Sequence, residues 1–392
     1  MERTEDFTCP RCGNSDPDGI GIGPTGKPYC RICLQYDGRE APAFTPSGQR
    51  IQLSLTYPLS PAQRMVSNQV LAAVTKGQPV LIKAVTGAGK TELVYAAMEH
   101  FLSRGLAVGF ATPRKDVVIE LEPRIHEAFS MATITSVYGE HTQVLSADII
   151  VLTTHQLYRY PNYFDLLILD EIDAFPYAGN QVLKHFFRRS VKGVYILLSA
   201  TPSQTDLEEL EKDKGVVITL DIRYHGQPLP VPQIRLYGPF GKLDIIACLR
   251  DFLSAGKPCF VFAPTISKAR RLADLLRLFC PGGASVDSQD PDRERKIADF
   301  KAGKLSYLIC TAVLERGVTV RDLQVIVADA DHPIYDAAAL IQIAGRAGRK
   351  SGYEDGEVIF FCHREEPWVK EAVSTIEETN HHAAMQSVPK KI

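Results

Sequence analysis

Nine residues constrain this chain more than any others: AVTGAGKTE, residues 84–92, which begin within the end of the apolar run PVLIKAV, residues 79–85. A strand that runs through closely spaced glycines into Lys-Thr and a helix forms a cradle for anions. The glycines turn backbone N–H groups inward, and the helix N-terminus adds its positive end. Gly87 and Gly89, with Ala88 between them, supply the loop, Lys90 neutralises phosphate oxygens, and the Thr91 hydroxyl is placed for Mg²⁺. The sequence departs from the strict phosphate-loop pattern at one place, Ala84, where that pattern has Gly.

A strand–loop–helix of this kind needs a parallel sheet around it, and the rest of the chain has the pattern of one. LAVGFAT, ADIIVLTT, FDLLILD and GVYILLS are short apolar runs separated by helical stretches up to about residue 220. Near-continuous apolar strands alternating with helices mark sheets buried on both faces. The alternation resumes with KPCFVFAP, LSYLICTA, LQVIVADA and GEVIFFC. With 392 residues there is room for two such domains. The expected fold is α/β, with two tandem parallel-sheet domains flanked by helices behind a small N-terminal module. Its boundaries fall at 1–36 for the module, 50–220 for the first domain and 221–241 for a proline-rich linker. The second domain then covers 242–380, and a polar, frayed tail covers 381–392. Residues 37–58 read as a linker that becomes a strand. Ser60 then caps a helix with Pro61 in its first turn and Gly77 as its stop.

The N-terminal module is read from Cys9, Cys12, Cys30 and Cys33, spaced C-x2-C-x17-C-x2-C. Two such pairs, each on a tight turn and joined by a hairpin, match a zinc ribbon. A set of four thiolates favours a structural Zn²⁺ with no open position for catalysis. The five other cysteines, Cys248, Cys259, Cys280, Cys310 and Cys362, are scattered among apolar residues and read as buried thiols.

LLILDEID, residues 166–173, places two carboxylates at the end of an apolar strand. Adjacent buried like charges are costly without a cation, so Asp170 is the candidate Mg²⁺ ligand and Glu171 the group that orients the attacking water. Phosphoryl transfer also builds negative charge that an arginine from another domain can stabilise. QIAGRAGRK, residues 342–350, offers Arg346 and Arg349 for that role. Composition does not point to nucleic acid. Lys plus Arg is 44 and Asp plus Glu is 46, a net charge of −2, so any such contact belongs to a local groove. No run of about 18 apolar residues and no signal-peptide layout appears, which predicts a cytoplasmic location.

With these residues in place, the chain resembles superfamily 2 helicases and translocases over nearly all of residues 59–362. The ordered motifs are AVTGAGKT, ATPR, TTHQL, DEID, SAT, FVFAPT, TAVLERGVTV and QIAGRAGR. The resemblance implies that the two α/β domains are RecA-like P-loop domains, and it accounts for Ala84, since the superfamily's own loop begins with Ala. It implies that Gln63 contacts adenine, and that Ser199, Thr201 and Gln342 couple the nucleotide site to domain motion. It also implies nucleic-acid contacts at Thr112, Pro113, Arg114, Thr154, Thr311, Arg316 and Gly317. A four-cysteine ribbon directly before a compact two-lobed motor, together with DEIDAFPY and LERGVTV, resembles the ComFA family of competence ATPases. That family implies a Mg²⁺-ATP-driven translocase or helicase for single-stranded DNA during uptake in transformation. Its implied partners are other competence proteins, a ComFC-like protein and a membrane DNA channel, at the inner face of the cell membrane. The alternatives are a replication-restart DNA helicase, an RNA helicase, or a zinc-bearing scaffold that binds nucleic acid without turnover.

Overall fold

The computed structural model describes residues 7–224, 226–287, 289–311, 320–348 and 356–387. It divides into two compact units, Met1–Ala84 with Lys90–Leu220, and Val85–Gly89 with Asp221–Ile392.

The N-terminal hairpin pairs β1 (Ile20–Ile22) with β2 (Pro28–Cys30), antiparallel. Seven parallel strands make the sheet of the first unit: β3 (Val80–Ala84), β4 (Val108–Thr112), β5 (Ile134–Val137), β6 (Ile149–Thr153), β7 (Phe164–Leu169), β8 (Val191–Ser199) and β9 (Val216–Leu220). Their order across the sheet is β5-β6-β4-β7-β8-β3-β9. The helices of this unit are α1 (Pro61–Val74), α2 (Lys90–Leu93), α3 (Tyr95–Leu102), α4 (Lys115–Ala128), α5 (Gln181–Ser190) and α6 (Gln204–Lys212). Every residue of β4, β6 and β7 is buried, as the unbroken apolar runs require for strands covered on both faces. Helix α1 starts as expected. Ser60 Oγ accepts from Gln63 N, the Gln63 side chain accepts from Ser60 N, and Pro61 opens the first turn.

The second unit holds β10 (Gln233–Leu236), β11 (Cys259–Phe262), β12 (Gly283–Val286), β13 (Tyr307–Cys310), β14 (Gln324–Val327) and β15 (Val358–Cys362), parallel in the order β10-β15-β14-β11-β13-β12. Its helices are α7 (Leu243–Ser254), α8 (Ile266–Phe279), α9 (Arg293–Lys301), α10 (Ala337–Ala344) and α11 (Pro367–Ser387). All five scattered cysteines are buried free thiols.

Three expectations change. The stretch 37–58 forms no strand; it runs as irregular extended chain, and Ile51 is its buried anchor. Part of the expected linker is sheet, because β10 adds to the edge strand β15 over Gln233–Leu236. The tail does not begin at 381, since α11 continues to Ser387. The N-terminal module packs onto the first unit. Cys9, Cys12, Ile20, Cys30 and Tyr36 share one apolar core with the first unit. Tyr36 packs its ring 5.5 Å from Tyr158 and 4.9 Å from Phe186, and the Arg11 guanidinium lies 5.1 Å above Tyr158. Gly13 is required at that junction: its φ is +70°, and a Cβ there would stand 2.5 Å from the His185 ring.

Candidate active site

The sheet order explains how distant motifs come together in the first unit. Strand β8 lies between β3 and β7, so Ser199 at its end is in register with Lys83, next to the phosphate loop, with the DEID strand on its other side. In a parallel sheet all C-terminal strand ends lie on one edge, where ligands bind. Gly87 and Gly89 take φ of +86° and +75°, backbone that lets the loop turn its N–H groups inward. Ala88 is fully buried between them, Lys90 opens α2, and Thr91 is buried beside it.

Asp170 follows the last residue of β7, and its N–H still donates to Ala111 O at 2.9 Å, so the sheet fixes its backbone. Glu171 then takes φ of +56°, a left-handed conformation that costs a non-glycine residue about 1 kcal/mol or more and clusters at functional sites. Glu171 N donates to Asp170 Oδ1 at 2.8 Å. Burial, followed by the neighbouring Glu171 charge, pushes the Asp170 carboxyl up to about 7, against the pull of Lys90. A carboxyl in that condition is stabilised by an added cation, which is the chemistry of a Mg²⁺ ligand. Thr201 joins the same edge: its Oγ1 donates to Asp173 Oδ2 at 2.9 Å, and its N–H donates to Ser199 Oγ at 2.9 Å. Thr201 of SAT therefore holds the DEID turn directly, and Ser199 braces Thr201. Asp173 was missed from sequence, although its position in DEID was the available signal.

The remaining residues take varied places. Gln63 is buried, and its side-chain oxygen accepts from Ser60 N in the α1 cap. Thr112 and Thr154 are fully buried at the ends of β4 and β6, with hydroxyls that find no hydrogen-bond partner among the described residues. Arg114 is paired to Asp116 at 2.7 and 3.2 Å, with Pro113 before it. Thr311 follows β13, and Gln342 lies on α10. Arg346 is buried in the turn after α10. Arg316, Gly317 and Arg349 lie outside the described residues.

Four cysteine Sγ atoms, of Cys9, Cys12, Cys30 and Cys33, all lie within 4.8 Å of one another. The pairs Cys9–Cys33 and Cys12–Cys30 are 3.5 and 3.6 Å apart, and none of the four forms a disulfide. Tetrahedral Zn–S bonds of about 2.3 Å require sulfur spacings of about 3.8 Å, so the set fits zinc. Burial raises the Cys12 thiol to about 11 and Cys33 higher still, and bound cationic metal is what reverses such shifts.

The charge runs KHFFRR (184–189) and KARR (268–271) read by sequence as solvated helix faces, but several of their basic residues are paired. Lys184 bonds Asp206 and Glu209 at 3.1 Å each, and Arg270 bonds Asp287 at 2.9 Å. Lys268 lies 2.9 Å and Lys242 3.7 Å from Asp329, which also accepts from Tyr237 OH at 2.9 Å. The tyrosines of YRYPNY (158–163), which by sequence could either stack bases or pack the core, are core: Tyr158, Tyr160 and Tyr163 are all buried.

Two relatives match almost the whole chain. Competence protein ComFA of Bacillus subtilis (strain 168) is 34% identical over 96% of this chain and 86% of its own length. Competence protein ComFA of Streptococcus pneumoniae is also 34% identical, over 96% of this chain and 91% of its own. The chain belongs to the ComFA family. Two family models agree with this placement of a ComFA-family chain. "Type III restriction enzyme, res subunit" covers residues 56–204, and "Helicase conserved C-terminal domain" covers 244–351. The fold is that of two RecA-like domains. Yeast Dbp5, solved bound to RNA and ADP BeF3, aligns with a TM-score of 0.62 at 19% identity, covering 82% of this chain and 91% of that one. This ComFA-family member is thus a superfamily 2 ATP-dependent helicase-type ATPase, whose domains imply ATP and Mg²⁺. No helix among the described residues is long and apolar enough to cross a membrane.

Proposed function

We propose that the chain is an ATP-driven translocase of single-stranded DNA that handles incoming DNA in competence. The observation that carries this reading is the 34% identity to two competence proteins over 96% of the chain. Thr91 and Asp170 would hold Mg²⁺, whose charge offsets the phosphate oxygens of ATP. Lys90 neutralises the phosphoryl oxygens, and backbone N–H groups of residues 87–89 cradle them. Glu171 orients the attacking water and takes its proton, so that ATP and water leave as ADP and phosphate. Arg346 and Arg349 supply positive charge to the transferred group, and Gln63 reads adenine. Ser199, Thr201 and Gln342 transmit the state of the site, with Thr201 acting through Asp173.

Strand contacts are assigned to the ATPR, TTHQL and TAVLERG segments. Thr112 and Thr154 have no exposed surface here, so their part is to shape the wall of the groove. Cys9, Cys12, Cys30 and Cys33 hold a structural Zn²⁺ that cross-links the ribbon. Binding should weaken steeply with salt, as phosphate contacts do. Other competence proteins and a membrane DNA channel are the proposed partners, met at the cytoplasmic face of the membrane.

Steady-state ATPase measured with no nucleic acid, single-stranded DNA, duplex DNA and RNA tests the reading. Single-stranded DNA should stimulate most. Equal rates in all four would overturn it, and preference for RNA would favour an RNA helicase. Arg346→Ala or Arg349→Ala should cut turnover by about 10³-fold while strand affinity stays close to that of the parent.

A further inference from the structure

One buried charge in the second unit is not used by any motif. Arg223 lies in DIRYHGQPLP, just after β9, and is only 2% exposed. No carboxylate meets it among the described residues. Its guanidinium instead donates to three backbone carbonyls of one turn: Nη1 to Gly348 O at 2.7 Å, and Nη2 to Gly345 O and Ala347 O at 3.1 Å each. Those carbonyls belong to QIAGRAGRK and lie in the turn that follows α10, from its C-cap Gly345 to Gly348, beside the partly negative end of the helix. The next residue, Tyr224, donates its N–H to Gly87 O of the phosphate loop at 3.1 Å.

Burying a guanidinium without an anion is costly, and burial holds Arg223 at about 10, below the usual arginine value. The planar fork suits this place because it reaches several carbonyls at once, which a lysine point charge does not. Arg346 lies inside the turn so held, and its own N–H donates to Ile343 O at 3.0 Å.

We propose that Arg223 is a positioning residue for hydrolysis: it sets the backbone of the arginine-motif turn and thereby the aim of Arg346. This rests on the reading that the arginine motif serves the transferred phosphoryl group. A misplacement of about 1 Å in such a group costs about a hundredfold in rate.

The test measures kcat and KM for ATP with saturating single-stranded DNA in the parent, Arg223→Lys, Arg223→Gln, Arg346→Lys and the double variant Arg223→Lys/Arg346→Lys. Circular dichroism and binding of a fluorescent ATP analogue run alongside to report the fold and the nucleotide site. Expected is a kcat loss of about tenfold to a hundredfold for Arg223→Gln, with a smaller loss for Arg223→Lys, and KM within about threefold of the parent. The double variant should be hardly slower than Arg346→Lys alone, because both substitutions disable one device. Additive losses, or a rise in KM with kcat unchanged, would overturn the proposal. So would a loss of rate that merely tracks a loss of folded protein across both Arg223 variants. If Arg346→Lys alone leaves kcat unchanged, the arginine-motif reading fails as well, and that outcome is distinct from an additive cycle.

Discussion

Asp170 and Asp329 stand one and two residues past the ends of buried strands in two sheets of the same kind, and they have opposite electrostatic fates. Each follows a buried parallel strand, β7 or β14, flanked by parallel neighbours on both sides. Each strand end also carries an acidic residue in left-handed backbone, Glu171 at φ +56° and Asp329 at +51°. Burial acts on both carboxyls, but Asp170 faces a second carboxylate and rises to about 7, whereas bonds from Lys268 and Tyr237 and the charge of Lys242 bring Asp329 below the usual range. The difference teaches how to tell a poised carboxyl from a structural one on sheets of the same kind. The poised one lacks enough cation and gains by binding it; the structural one is already satisfied.

The sharpest way to break this contrast is Asp170→Asn. Turnover should fall by about 10³-fold, with the urea unfolding midpoint unchanged or raised, since the substitution removes a disfavoured charge. A large stability loss with turnover retained would reverse the assignment. Asp329→Asn should do the opposite first. It strands Lys268 and Lys242, and because both lysines are about one-third exposed, the expected cost is about 2 kcal/mol of unfolding free energy, read by urea denaturation.

The pH dependence sharpens the comparison further. Because the Asp170 pKa is raised in the fold, the free protein holds that proton below about 7, and the group detracts from stability as pH rises from the ordinary carboxylate value of about 4 toward 7. Binding of Mg²⁺-nucleotide must release that proton. Apparent affinity should therefore weaken by up to about tenfold per pH unit below 7, and titration calorimetry in two buffers of different ionisation heat should show proton release. Asp329 has the opposite sign: its contribution is present above the ordinary carboxylate value and is lost as pH falls through its own lower one.

The smallest effect on basal turnover is expected from Cys9→Ser with Cys12→Ser. Rates without nucleic acid should stay within a few-fold of the parent, while stimulation by single-stranded DNA falls further. Because the ribbon shares the core of the first unit, thermal unfolding should shift downward as well.

Local patterns were legible without coordinates. The phosphate loop, DEID and the cysteine pairs each need a particular residue at a particular spacing, so the chemistry is written into short stretches of chain. The principal strands of both sheets are readable for the same reason, as unbroken apolar runs that only a covered sheet can bury. The α1 cap is equally local, with Ser60, Pro61 and Gln63 all within one turn.

Tertiary structure alone decided which charges meet. Lys268 and Asp329 are 61 residues apart, Arg223 and Gly348 are 125, and no periodicity in a single sequence links such pairs. For the same reason KARR and KHFFRR read as solvated faces, although their long stems fold back onto carboxylates brought in by other elements. Burial likewise separated the core tyrosines of YRYPNY from base-stacking residues, and it joined the ribbon to the first unit through Tyr36. Residue type and spacing determined the chemistry this chain carries; the packing of distant elements determined which groups are left needing a cation and which already have one.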